Sequence, residues 1–268
     1  MSRVIVITSG KGGVGKTTVT ANLGTALARQ GQTVAVIDAD FGLRNLDLLL
    51  GLENRVVYTA VEVISGECRL EQALVKDKRT PGLVLLPAAQ TRNKTAISPQ
   101  HMQDLVQRLQ QDYSLVLIDC PAGIEQGFRN AIAGATEAII VTTPELSAVR
   151  DADRVVGLLE SAQIRPAHLI VNRLRPDMVA ANTMMSVEDV QDLLAIPLLG
   201  MIPEDEEVIV STNKGEPLVL DPQPTQAAAA IQRIAQRLLG EEIPFLDLDS
   251  LNGNLFHRLK RFLNQKVF

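Results

Sequence analysis

Residues 9–18, SGKGGVGKTT, set two lysines, Lys11 and Lys16, among four glycines. Residues 10–17 match the phosphate-loop pattern GxxxxGK[ST], and they follow a short apolar run and precede a helical one. Here Gly10, Gly12, Gly13 and Gly15 let backbone N–H groups, that of Val14 included, close round phosphate oxygens. Lys16 then reaches the β and γ oxygens, the Thr17 hydroxyl binds Mg²⁺, and Thr18 stands beside them. Lys11 has no role in that minimal pattern.

The same letters also satisfy GxGxxG through Gly10, Gly12 and Gly15, with Asp38 at a later strand end, which is a dinucleotide-binding signature. That reading leaves the Lys16-Thr17 pair unexplained, together with Asp119 at the end of the apolar run LVLID. A triphosphate site needs such an acid to hold Mg²⁺ or its water shell, so the triphosphate reading is preferred. Asp38 and Asp40 fall in IDADFGLRN, just past the second strand. Asp40 is placed to orient an attacking water, with Asp38 nearer the metal shell; alternatively Asp40 starts a turn and Asn45 caps the helix that begins LDLLLG. Asn172 ends a strand in IVNRL, with Arg173 next to it. Its amide could pair with a purine edge, and Pro203, Glu204 and Asp205 in IPEDEEV could offer backbone contacts to the same base, although turn residues look alike. Cys120 adjoins Asp119 without a nearby histidine and reads as a packed thiol.

Elements that could hold these groups recur along the chain. RVIVITS, TVAVID, LVLLP, SLVLID, EAIIVTT, AHLIVN and IPLLGMIP are continuously apolar, as strands covered on both faces are. Between most of them lie segments such as TTVTANLGTALARQG, SPQHMQDLVQRLQQD, ELSAVRDADRVVGLLESA and SVEDVQDLLA, with apolar residues three and four apart. The expectation is an α/β fold, a mostly parallel central sheet flanked by helices, forming one domain over residues 1–240.

Composition narrows the function classes. Of 268 residues, 46% are hydrophobic and 21% charged, which suits a folded globular chain. A net charge of -5 argues against nucleic-acid binding by the whole body. Cys68 and Cys120 lack CxxC spacing, and His101, His168 and His257 lack metal-ligand spacing. VIVIT is too short for a signal-peptide core, and no uncharged apolar run reaches the length of a membrane span, so a cytoplasmic protein, or one inside an organelle, is expected.

The end of the chain differs. Residues 241–253 form an acidic linker, and residues 251–268 carry Arg258, Lys260, Arg261 and Lys266 with no acid. On an ideal helix over 254–268, Leu255, Phe256, Leu259, Phe262 and Leu263 share an arc of about 120°, flanked by Arg258 and Lys260, with Arg261 opposite. That is an amphipathic helix for an anionic membrane surface; packing on the protein's own core or on nucleic acid are the alternatives. So short a helix binds weakly alone, and two held in one dimer gain affinity by a factor on the order of 10².

With KGGVGKTT, IDAD, GLRNLDL and DCPAGIE, the chain resembles the deviant Walker A ATPases of the MinD/ParA family. GLRNLDLLLGLENRVVYTAVEVISG, VKDKRT, PELSAVRDADR and IPEDEEVIVSTNKGEPLVL extend the likeness, on its septum-site branch, over nearly the whole chain. The resemblance implies a P-loop NTPase fold and Mg-dependent hydrolysis of ATP. It implies that Lys11 reaches the partner's phosphates across an ATP-bound homodimer, that Asp40 positions the hydrolytic water, that Asp38 and Asp119 support Mg²⁺, and that Asn45 lies at the γ-phosphate. It further implies residence on the inner face of the cell membrane or an organelle membrane, and partners of the MinC (division inhibitor) and MinE (activator) types. Arg150, Asp151 and Asp153 are then candidate partner contacts, although a solvated helix face explains those charges as well. A ParA-type DNA or cargo partition ATPase is the alternative within the same family.

Overall fold

A computed structural model describes residues 2–89 and 97–245; the tail helix, with Leu255, Phe256, Arg258, Leu259, Lys260, Arg261, Phe262 and Leu263, lies outside the described residues. The strands are β1 (Arg3–Thr8), β2 (Val34–Asp38), β3 (Val75–Lys76), β4 (Leu83–Leu86), β5 (Leu115–Asp119), β6 (Glu137–Thr142), β7 (Ala167–Leu174) and β8 (Leu198–Pro203). They make one sheet in the order β3-β4-β2-β5-β1-β6-β7-β8, parallel except for the β3–β4 pair. The seven apolar runs became the seven parallel strands. The two-residue edge strand β3, inside VKDKRT, had no apolar run to announce it.

The helices are α1 (Lys16–Arg29), α2 (Leu46–Leu49), α3 (Ala60–Ile64), α4 (Leu70–Ala73), α5 (Pro99–Leu109), α6 (Gln126–Ile132), α7 (Leu146–Ser161), α8 (Pro176–Ala180), α9 (Val187–Leu194), α10 (Glu207–Lys214) and α11 (Gln226–Leu238). Successive strand side chains point to opposite faces, so Ile5 and Ile7 pack toward α1 and α11, and Val4 and Val6 toward the layer containing α5, α6, α7 and α9. Both faces are therefore dry, which is why the strands read as unbroken apolar runs.

From β1 the chain passes to β2 on one side, and later from β5 to β6 on the other. The loop after β1 thus opens at the switch point of the sheet, at the carboxyl ends of the strands, where such sheets hold ligands.

The opposite edge is tied shut. Arg3 makes a two-pronged bond to Glu137 at 2.8 and 2.6 Å and donates to the Leu238 carbonyl at 2.6 Å, joining β1, β6 and α11. Arg237 donates to the carbonyls of Leu199, Ile243 and Pro244, and its guanidinium lies 4.3 Å from the Phe245 ring centre, so the chain leaving α11 is held against the start of β8. No helix among the described residues is long and apolar enough to cross a membrane.

Candidate active site

The loop after β1 is shaped by glycine at two positions. Gly15 precedes α1 in a left-handed conformation, φ 96°, and a Cβ there would stand 2.3 Å from Asn172 Nδ2. A Cβ on Gly10 would stand 2.1 Å from the Asp151 carbonyl oxygen, so the loop is pressed against α7 as well. Asn172, from the end of β7, donates to the Val14 carbonyl at 2.8 Å and braces the loop from its far side. No side chain caps the start of α1, whose first N–H groups are left for an anion.

Beneath the loop lie Lys16, Asp38 and Asp119, exposed by 7%, 1% and 1%. Asp38 and Asp119 are register partners on β2 and β5. Both Asp38 oxygens are engaged by backbone: Oδ1 accepts from Asp40 N at 3.0 Å, and Oδ2 from Asn45 N and Leu46 N at 3.2 Å each. Asp119 accepts from the Thr20 hydroxyl at 2.9 Å. Burial, together with the facing Asp119 charge, raises Asp38 to about 7. Burial likewise raises Asp119 to about 6, against the pull of the Thr17 and Thr20 hydroxyls and Lys16. Two adjacent buried carboxylates, of which only Asp119 feels the Lys16 charge, form a donor set short of positive charge, and a hard divalent ion with oxygen ligands fits them. Among the described residues no three His, Cys, Asp or Glu side chains converge into a metal cage, so such an ion would share its coordination with phosphate oxygens. Cys120 is buried, its thiol pushed up to about 12 by that burial, in keeping with an unreactive packed residue.

Asp40 follows on the same loop. Its carbonyl accepts from Leu43 N and Arg44 N at 3.2 and 3.4 Å, so it does begin a turn, while its carboxylate makes no hydrogen bond among the described residues. Asn45 takes the position before α2 without a side-chain capping bond. The capping alternative for its amide is therefore corrected: Asp38, not Asn45, satisfies the first N–H groups there.

Asn172, Arg173, Pro203, Glu204 and Asp205 come together as expected, around a cavity of about 670 Å³ that also reaches Gly15 and Thr18. Pattern reading missed Asp177 and Ile209 on the same wall, which carry no motif. It also missed Thr20, whose only signal was a hydroxyl one helical turn after Lys16. Lys11 stands apart from the cluster: its Nζ lies 3.2 Å from Glu145 Oε2 and 3.1 Å from Ser147 Oγ, at the start of α7. Arg150 and Asp153 are exposed on α7 and Asp151 is half-buried, 3.9 Å from Arg154.

A glycine loop at the switch point of a parallel sheet, with a buried lysine and two strand-end aspartates beneath it, defines a P-loop nucleotide-binding protein of the α/β class. The family model for the CobQ/CobB/MinD/ParA nucleotide binding domain matches residues 5–218. The chain belongs to that MinD/ParA family. It is similar to the septum site-determining protein MinD of Synechocystis sp. (strain ATCC 27184 / PCC 6803 / Kazusa), 63% identical over 263 residues, covering 98% of this chain and 99% of that one. Among solved structures it is similar to the Aquifex aeolicus MinC:MinD cell division protein complex, with TM-score 0.86 and 50% identity over 92% of this chain and 99% of that one. The septum site-determining protein MinD from Pyrococcus horikoshii OT3, complexed with Mg-ADP, matches with TM-score 0.82 and 34% identity over 91% and 100% of the two chains.

Proposed function

We propose that this protein is an ATPase that places the division site. In its ATP form it dimerises, binds an anionic membrane through residues 254–268, recruits a division inhibitor, and leaves the membrane when an activator speeds hydrolysis. The observation that carries the reading is the likeness, over 98% of the chain, to a septum site-determining protein. The Aquifex relative's complex with MinC supports an inhibitor partner, for which Arg150, Asp151 and Asp153 on α7 are the candidate contacts. The Mg-ADP complex of the Pyrococcus relative supports nucleotide with Mg²⁺ at the P-loop.

In this reading the N–H groups of residues 10–18 and Lys16 bind the phosphates, and the cavity beside Asn172 and Pro203 takes the base. Thr17 would hold Mg²⁺, with Asp38 and Asp119 behind it. Bound there, the ion would neutralise charge on the β- and γ-phosphate oxygens. Asp40, its carboxylate without a hydrogen-bond partner among the described residues, orients the water, and Asn45 stands at the γ-phosphate beside it. Lys11 sits at the rim, 41% exposed, where exchanging Glu145 for a partner's triphosphate breaks only an exposed ion pair, worth at most about 1 kcal/mol. Leu43, Ile124 and Leu146, exposed by 63%, 40% and 54% on segments that follow β2, β5 and β6, give that rim apolar surface for a second copy.

Sedimentation of the full chain with anionic vesicles tests the proposal. ATP should bring protein down with the vesicles, ADP should not, and a chain ending at residue 253 should stay in solution while still hydrolysing ATP. Equal sedimentation in ATP and ADP would overturn nucleotide control. Retention on DNA rather than vesicles would move the protein to the partition branch.

A further inference from the structure

VKDKRT, the segment around β3, has no part in the site just described, yet it carries an arginine, Arg79, whose guanidinium bonds to two segments far from it in the chain. Arg79 donates through Nη2 to the carbonyl of Leu50, the residue that closes α2, and through Nη1 at 3.0 Å to the carbonyl of Gly215, which closes α10. One guanidinium therefore sits on two helix C-termini at once, where carbonyls and helix dipoles favour a cation. Asp77, 4% exposed, fixes it in place: Oδ1 accepts from Arg79 Nε at 3.2 Å and Oδ2 from Nη2 at 3.1 Å. The two helix ends touch backbone to backbone, since a Cβ on Gly51 would stand 2.4 Å from the Gly215 oxygen.

The other ends of these helices reach the nucleotide site from opposite sides. α2 begins at Asn45 and Leu46, whose N–H groups are held by Asp38 beside the phosphates. α10 begins at Glu207, directly after Pro203, Glu204, Asp205 and Glu206, which line the base cavity. We propose that Arg79 is a positioning residue that couples the base-side segment 203–215 to the phosphate-side segment 40–50 by clamping the C-termini of α10 and α2 together. This deepens the proposed function and rests on it: ordering of one segment by the base would order the other before any γ-phosphate arrives, and the cost of fixing residues 40–50 would fall on binding rather than on turnover.

Hydrogen exchange of the full chain with ADP in EDTA reads the coupling, because this ligand offers neither a γ-phosphate nor a metal to the Asp38 loop. In the parent protein, amides of residues 9–18, 203–215 and 46–50 should all slow, the last by roughly threefold or more. In Arg79→Lys, which keeps a cation for Asp77 but cannot reach both carbonyls, residues 9–18 and 203–215 should slow and 46–50 should not. Thermal melting without ligand confirms that the variant is folded, and the double variant Arg79→Gln with Asp77→Asn, which leaves no buried charge unpaired, replaces it if it is not. Equal slowing at 46–50 in parent and variant, no slowing there in the parent, or slowing at 9–18 without 203–215, each overturns the coupling. No slowing at 9–18 overturns instead the nucleotide site on which it rests.

Discussion

The two edges of the sheet treat buried charge in opposite ways. At the amino ends of the strands, Arg3 and Glu137 face each other in a two-pronged bond and Arg237 is matched by three carbonyls, so each charge has its counterpart inside the chain. At the carboxyl ends, Asp38 and Asp119 lie side by side beneath the P-loop, and both are pushed well above the ordinary carboxylate range. The first edge spends its charges on holding the fold. The second keeps a deficit of positive charge that the fold itself does not meet, and which a nucleotide-bound cation would. A site that must release its ligand gains from that deficit, because a pocket already neutral without ligand would have little to exchange.

The sharpest way to break the contrast is at Asp40, the proposed water-orienting residue, whose carboxylate makes no hydrogen bond among the described residues. Asp40→Ala should lower kcat for ATP by about 10²- to 10³-fold and leave nucleotide affinity within about twofold, read by phosphate release and by titration with a fluorescent nucleotide. Ordinary turnover in that variant would refute the water-orienting role.

A second, smaller effect is the pH dependence of the ligand-free protein. Asp38 and Asp119 hold their protons in the fold to about 7 and about 6, while in the unfolded chain they lose them near the usual carboxylate value. Between about pH 4 and pH 7 the unfolded state therefore binds fewer protons, and stability falls as pH rises, by up to a few kcal/mol. Asp38→Asn should flatten that fall in Tm. Parallel curves for variant and parent would show that the charge deficit is not at this pair.

The smallest effect belongs to the other edge. Glu137→Gln keeps a partner for Arg3 but removes the ionic bond, and should cost about 1 kcal/mol, a Tm lower by a few degrees, with ATP turnover unchanged. A large loss of turnover would mean that the two edges are not independent.

The loop residues and both strand-end aspartates could be found from local letters because their chemistry depends on neighbours in sequence: a glycine loop needs its glycines, and a strand that ends in Asp shows it. The strands were found for a similar reason, since a face covered on both sides leaves a continuous apolar run. The edge strand β3, the brace from Asn172 to Val14 and the Thr20 bond to Asp119 left no such mark. The last two are pairings between residues far apart in the chain, where either partner alone looks like an ordinary turn or helix residue, and β3 pairs locally with β4 but is only two residues long and has no apolar run.

What the sequence determined by itself was the type of element and the type of chemistry: alternating strands and helices, a phosphate loop, two acids at strand ends, a spare lysine. Only the tertiary structure decided which of these groups meet. It set Asp38 against Asp119 through the β2–β5 register, gave both Asp38 oxygens to backbone N–H groups instead of leaving them free, and stationed Lys11 on Glu145 at the rim. Hydrophobic periodicity is local and can be read from one segment, whereas register and charge environment follow from which strands become neighbours, and that is settled only when the sheet closes around its two cores.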